Sequence, residues 1–386
     1  MYSSSDEFTI RPITSIEAFL QLSDVWDELI SPQTPYRPFL CFDWFKTWLN
    51  HFLTADQLSI LLLFRNHDIV AIAPFILRDD RFKGIKVRKL ELIGNIYSPI
   101  RSLLIHDTEF YKSGNILPII LRFLAQQNTC WDIIELSPIP EESRHFGLLN
   151  DSLNQIPYKN SQFVCFTNWY LDNIDYSSST FFSNLSKNMK RNIKRTKRNA
   201  EKAGELKFRM LSKPEEVSQN IKTYFSVYAR SWKKEEEVGP HFHMDLTRLA
   251  AQKGWLRLGF VYLGDVPIVT GFALVCEDIA YFSKNAYDQA YRELGAGTIW
   301  MSEMIKYVVD VDKVHVIDFL RGDEPYKRRW LKHHRERRGF LIFNNTWKGN
   351  LLSHLDQHVI PALNRSHLFR ETKSLVAKKF FRRNAP

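Results

Sequence analysis

Three β-rich runs close together constrain this chain more than any other feature. LRLGFVYL (256–263) reaches Gly264-Asp265, VPIVTGFALVC (266–276) reaches Glu277-Asp278, and IAYFSKNAY (279–287) follows. Short polar turns between runs of this kind predict an antiparallel meander. The first half carries a similar pattern. LSILLLF (58–64) and IVAIAPFIL (69–77) flank Asn66-His67-Asp68, and VRKLELIG (87–94) comes next. Helical stretches accompany each half, at 16–29 and 39–52, then at 219–234 and 297–309. The 386 residues exceed one typical domain. The repeat is read either as two copies of one α/β module or as one large α/β domain.

Between the halves lies TFFSNLSKNMKRNIKRTKRNAEKAG (180–204). Phe181, Leu185, Met189 and Ile193 form one apolar stripe at helical spacing, and Gly204 is a stop. Its other faces carry Lys187, Lys190, Arg191, Lys194, Arg195, Lys197, Arg198 and Lys202. They form a solvated face, a grip for RNA, or a contact for an acyl carrier or membrane. The whole chain has a net charge of +10, which favours an anionic partner. The tail from His367 to Arg383 mixes Leu368, Leu375, Val376, Phe380 and Phe381 with cations. It is read as a packing helix or as one lying on an anionic membrane surface.

After the third run of the second half comes YRELGAGTIWMSEMIKYVV (291–309). Arg292-x-x-Gly295-x-Gly297 marks the junction of strand and helix. Glycines allow close backbone approach there, and free amides at a helix start suit a pyrophosphate. A structural turn with a glycine cap is the plainer alternative. The helix leads to a run VHVIDFL (314–320) and then to RGDEPYKRRW, a turn crowded with opposed charges.

Strand, R-x-x-G-x-G and helix, with the basic helix before and D-F-x-R-G-D-E-x-Y-K after, resemble GNAT acetyltransferases of the FemAB-like and CelD-like (cellulose-biosynthesis) branch. PFLCFDWFKTWLNHF (38–52) and IVAIAPFIL resemble that branch's first half. The resemblance implies an α/β (α+β) fold of tandem GNAT-like modules, each a mixed, mostly antiparallel sheet flanked by helices. The expected units are a degenerate module at 1–160, a catalytic one at 161–350, and a basic helical tail at 351–386. Acetyl-CoA or another acyl-CoA is the implied co-substrate, with no metal. Gly295, Ala296, Gly297 and Thr298 would give amides to its pyrophosphate, and Arg292 charge. The first module has only GNIYSP (94–99) at the matching place, so it is expected to shape the acceptor side.

Acyl transfer from a thioester needs a base for the nucleophile and a group for the departing thiolate. Asp318, Asp323 and Glu324 are base candidates, and Tyr326 is the acid candidate. Arg321 and Lys327 either bind an anionic acceptor or pair with the neighbouring acids. The plainer reading is an ion-pair knot, Arg321 with Asp318 or Glu324. Trp232 either lines an acceptor pocket or packs in the core. His241 and His243 are read as solvated loop residues, with base or metal-ligand roles as alternatives.

The expected activity is N- or O-acyl transfer from acyl-CoA to an amine, hydroxyl or saccharide acceptor in cell-envelope or exopolysaccharide synthesis. The alternatives are aminoacyl transfer from tRNA and a non-catalytic module binding a carrier or lipid. Cys41, Cys130, Cys165 and Cys276 are dispersed, which suits free thiols in a reducing compartment. With no signal-like start and no apolar run near the roughly 20 residues of a spanning helix, the expected location is cytoplasmic, with peripheral contact at the inner membrane face as an option.

Overall fold

The computed structural model describes residues 8–30, 36–53, 57–106, 116–126, 131–233 and 239–359. The amphipathic tail at 367–383 and Cys130 lie outside them.

The strands are β1 (Phe8–Ile13), β2 (Leu58–Arg65), β3 (Asp68–Phe82), β4 (Ile85–Leu92), β5 (Leu104–Ile105), β6 (Ile133–Pro140) and β7 (Asn160–Leu171) in the first half. The second half adds β8 (Leu206–Leu211), β9 (Leu256–Leu263), β10 (Val266–Cys276), β11 (Ile279–Tyr287), β12 (Val316–Arg321) and β13 (His333–Phe343). The helices are α1 (Ile16–Leu20), α2 (Ser23–Leu29), α3 (Arg37–Leu40), α4 (Phe42–Phe52), α5 (Ile116–Gln126), α6 (Arg144–Leu153), α7 (Ser178–Ser183) and α8 (Lys187–Ala203). They continue with α9 (Pro214–Ala229), α10 (Gly239–Gln252), α11 (Ala296–Asp310), α12 (Lys327–Trp330) and α13 (Trp347–His354).

All strands join one sheet in the order β1-β2-β3-β4-β6-β13-β7-β12-β11-β10-β9-β8, with β5 on β3. The order has an internal symmetry. Each half is an antiparallel meander followed by one parallel pair, β4 with β6 and β11 with β12. The last strands are exchanged. β13, late in the chain, pairs with β6, while β7 pairs with β12. β7 and β13 also pair with each other, so the halves form one continuous sheet.

One apolar core draws on both halves. It joins α1–α4 to α9 and α10, and Phe39 of α3 meets Tyr281 of β11 edge-on at 5.2 Å. Among the described residues three further cores are local, one under α7, α8 and α11, one under α5 and α6, and a small one where Leu352 of α13 meets Val87, Ile133, Leu341 and Phe343.

Several helices differ from the sequence reading. The stripe at 180–204 is two helices, because Ser186 turns out of the helix and caps α8 by accepting from the Met189 amide. The stretch at 219–234 starts earlier and ends at Ala229, since Pro214 opens α9. Trp232 therefore lies beyond the helix. The expected solvated loop around His241 and His243 is instead α10, with His243 buried.

Candidate active site

β11 and β12 pair in parallel only at Ile279–Val316, Ala280–Ile317 and Tyr281–Asp318. Beyond those rungs the strands separate. Phe282, Ser283, Lys284 and Asn285 on one side, and Phe319, Leu320 and Arg321 on the other, line a cavity of about 170 Å³. Trp300 and Met301 of α11 close it behind, and Ile96, Tyr97 and Pro99 of the first half form another wall. Two backbone irregularities shape it. Ser283 has no partner in the β10 ladder, where Phe272 pairs with Lys284 and Ala273 with Phe282. Leu320 has a φ of +49°, rare for a branched residue.

The glycine turn stands at the head of α11. Residues Gln289–Leu294 make a 3₁₀ turn, and Gly295 takes a left-handed φ of +66°. The amides of Ala296 and Gly297 have no preceding helical carbonyl to bond, while Thr298 donates back to the Gly295 carbonyl. A Cβ on Gly295 would stand 2.4 Å from Thr196 of α8, so the basic helix packs directly on the turn. A Cβ on Gly297 would meet nothing nearer than the Tyr287 ring at 3.5 Å. Arg292 is exposed. The turn lies one helical step before Trp300, outside the cavity lining.

The charged turn resolves into a network. Asp318 is fully buried. Its carboxylate accepts from Arg335 Nη2 at 2.7 Å, Asn168 Nδ2 at 2.7 Å and the Leu320 amide at 2.6 Å. Asn168 also donates to the Leu320 carbonyl at 3.0 Å, so both main-chain groups of the left-handed residue are held. Arg335 and Arg337 both donate to the Asn168 oxygen, at 2.8 and 2.9 Å. Arg337 binds Glu142 with 2.7 and 2.8 Å contacts, and Tyr36 donates to the same carboxylate at 2.7 Å. Burial pushes the Glu142 carboxyl up, but Arg337, Arg335 and Tyr36 outweigh it and hold it below the usual range.

One expected role is thereby corrected. Asp318 is not a base facing the cavity, because its carboxylate is enclosed and saturated with donors. It braces the kink that places Phe319, Leu320 and Arg321. Lys327 lines the cavity and takes the acid-pairing alternative. Its ammonium donates to the carbonyls of Phe319 and Arg321 and pairs with Glu324 at 3.0 Å, which clamps the end of β12. Burial lowers its pKa. The expected knot of Arg321 with Asp318 or Glu324 is absent among the described residues. Asp323 instead binds Arg328 and the Trp169 indole.

Glu324, Tyr326 and Arg321 line the cavity together with Lys327. Glu324 is half-exposed and folds over Gly322. Burial, and then Glu324, raise the Tyr326 pKa, so its hydroxyl keeps its proton across the neutral range. The Arg321 guanidinium lies 5.0 Å from the Phe166 ring centre. Trp232 is exposed rather than in the core, tilted against Tyr287 at 4.3 Å outside the cavity lining.

Sequence reasoning missed the weight of His243, whose Nε2 lies 2.9 Å from Lys284 Nζ in the cavity wall. The helical start Gly239-Pro240 was the available signal. It also missed Asn168 and Arg335, which nothing local marks. Among the described residues no group of three or more acid, His or Cys side chains is placed to hold a metal.

A family model described as an acetyltransferase (GNAT) domain matches residues 187–328. These residues are a GNAT acetyltransferase domain. The splayed strands and the glycine turn both fall inside the matched residues. No curated protein matches the chain. Among solved structures, FemX is similar at 11% identity and a TM-score of 0.58, covering 89% of this chain and all of FemX. A conserved Bacteroides thetaiotaomicron protein of unknown function has 8% identity and a TM-score of 0.51, covering 88% of this chain and 100% of its own. The DUF2156 C-terminal domain of an Agrobacterium fabrum protein has 7% identity and a TM-score of 0.51, with 87% and 97% covered. At these identities the likeness is one of fold. The fold is the tandem mixed α/β arrangement that the GNAT domain and its mirrored first half describe.

Proposed function

We propose that the protein transfers an acyl group from acyl-CoA to an amine, or to a hydroxyl, inside the cavity between β11 and β12. The carrying observation is the separation of two parallel strands beside a helix that opens on Gly295-Ala296-Gly297. The glycine turn is not part of the cavity lining, so in this reading the thioester end enters the cavity. The pyrophosphate would lie outside, on the amides of Ala296 and Gly297, with Thr298 and Arg292 adding a hydroxyl and a charge.

The acceptor nitrogen attacks the thioester carbon, a C–N bond forms, and the C–S bond breaks. Glu324 takes the proton from nitrogen. The Ser283 main-chain amide, outside the regular ladder, is the candidate donor to the oxyanion. Tyr326 gives a hydrogen bond to the departing thiolate. With its raised pKa it is a poor proton donor to sulfur, so the thiolate takes its proton from solvent. In this reading residues 161–350 hold the donor and residues 1–160 supply the acceptor wall through Ile96, Tyr97 and Pro99. An acceptor from envelope or exopolysaccharide synthesis rests on family resemblance alone.

The test follows thiol release from acetyl-CoA across a panel of amines and amino sugars. Acceptor-dependent release should fall about a hundredfold or more in Glu324→Gln, with acetyl-CoA binding kept. Release that ignores Glu324 would remove it as the base. A second reading is favoured by α8, whose Lys187, Arg191, Lys194, Arg195, Lys197, Arg198 and Lys202 are exposed beside the glycine turn. It is aminoacyl transfer from tRNA, which predicts tRNA binding that weakens steeply with salt.

A further inference from the structure

We infer that Trp232 is the platform on which the adenine ring of the acyl-CoA donor stacks, an inference that rests on the acyl-CoA reading above. Three observations carry it. Trp232 is 49% exposed, although tryptophan usually buries most of its surface. One face packs on Tyr287, with ring centres 4.3 Å apart and planes 37° apart. About half of the indole surface is thus open to solvent, which leaves room for a purine to stack.

Its place in the fold is the second point. Tyr287 ends β11, and its ring would stand 3.5 Å from a Cβ at Gly297. Gly297, Tyr287 and Trp232 are thus consecutive in space, starting from the amides proposed for the pyrophosphate. A nucleotide anchored there by its phosphates would bring its base toward the indole.

The third point is how firmly the indole is carried. Arg230, just beyond α9, pairs with Asp288 at 2.6 Å and donates to the Pro267 carbonyl at 3.2 Å. Asp288 in turn caps the 3₁₀ turn before Gly295 by accepting from the Ala290 amide. The Gln289 amide donates to the Arg230 carbonyl at 3.1 Å. The segment bearing Trp232 is therefore tied to the same turn that bears the glycines. Lys233 Nζ, 5.7 Å from the Trp232 ring centre, lines the cavity proposed for the thioester, so the indole stands beside the donor's site. Aromatic stacking suits a purine because every base has a π face, independent of its hydrogen-bonding edge.

The experiment is calorimetric titration of wild type, Trp232→Ala and Trp232→Phe with two donors, acetyl-CoA and acetyl-pantetheine. The second has the same thioester without the nucleotide. Trp232→Ala should weaken acetyl-CoA binding about ten- to a hundredfold. Trp232→Phe should keep most of it, and acetyl-pantetheine should bind all three proteins alike. Circular dichroism checks that the exposed substitution leaves the fold intact. Unchanged acetyl-CoA affinity in Trp232→Ala overturns the platform while leaving the donor reading in place. An equal loss for both donors also overturns it and returns Trp232 to the thioester or acceptor side. A wild type that binds no acetyl-CoA overturns both.

Discussion

Gly295 and Gly297 are two residues apart and meet different surroundings. Gly295 needs its left-handed backbone and has Thr196 where a Cβ would go, whereas Gly297 has room. Gly295→Ala should therefore lower stability by about 1–2 kcal/mol or more from the backbone alone, read as a shift in the urea midpoint. Gly297→Ala should leave that midpoint within about 0.5 kcal/mol of wild type. Equal effects would mean that the turn is not as described. The thiols make a second residue-scale test. Burial pushes Cys41 and Cys165 up to about 12 and Cys276 up to about 11. Little thiolate then exists at pH 8, and alkylation by iodoacetamide at these three should be slow until urea unfolds the chain. Peptide mapping of the labelled protein reads it, and fast native labelling of Cys41 would contradict its burial.

At the scale of elements, the central object is the kinked end of β12. Asp318 holds the Leu320 amide, Asn168 the Leu320 carbonyl, and Lys327 the carbonyls on either side. Asp318→Asn leaves Arg335 and Arg337 without their buried counter-charge, so a loss of about 3–5 kcal/mol is expected, measured by chemical denaturation. A loss under about 1 kcal/mol would show that the network does not brace the strand. The second-half meander was legible in the sequence because its turns are local. Gly264 and Glu277 both take positive φ between runs that match β9, β10 and β11 end to end. The glycine turn before α11 was legible for the same reason. The network was not, since Asn168 reaches Asp318 across 150 residues of chain. Reading IDFLRGDEPYKRRW by itself pairs its acids and bases within the turn. The fold keeps two such pairs, Glu324 with Lys327 and Asp323 with Arg328, but brings in β7 and β13 to enclose Asp318, one of the three candidate bases.

At the scale of the molecule, strand exchange places that network at the seam. β7 comes from the first half and β13 from the second, and Glu142, Tyr36, Arg337, Arg335, Asn168 and Asp318 cross between them. No sequence pattern announces an exchange, because each strand keeps the same alternation whichever neighbour it pairs with. The seam also has a pH signature. Glu142 has a folded pKa below its unfolded value, near about 4.3. Its stabilisation is fully present above that value and is lost as pH falls through the lower folded one. Glu142→Gln should lower stability at pH 7 and flatten its decline between about pH 4.5 and 3. Urea titrations of both proteins across that range read the effect, and parallel curves would rule the seam out as the acid-sensitive point. Among the described residues, no helix is long and apolar enough to cross a membrane.

The central claim is that the glycine turn and the parted strands of the second half hold an acyl-CoA donor. Calorimetric titration of wild type and Gly297→Glu with acetyl-CoA tests it most directly. Wild type should bind in the micromolar range, and the glutamate, with room to fold at an open position, should abolish binding by setting a carboxylate against the pyrophosphate. Equal binding by both proteins, or none by a folded wild type, would contradict it.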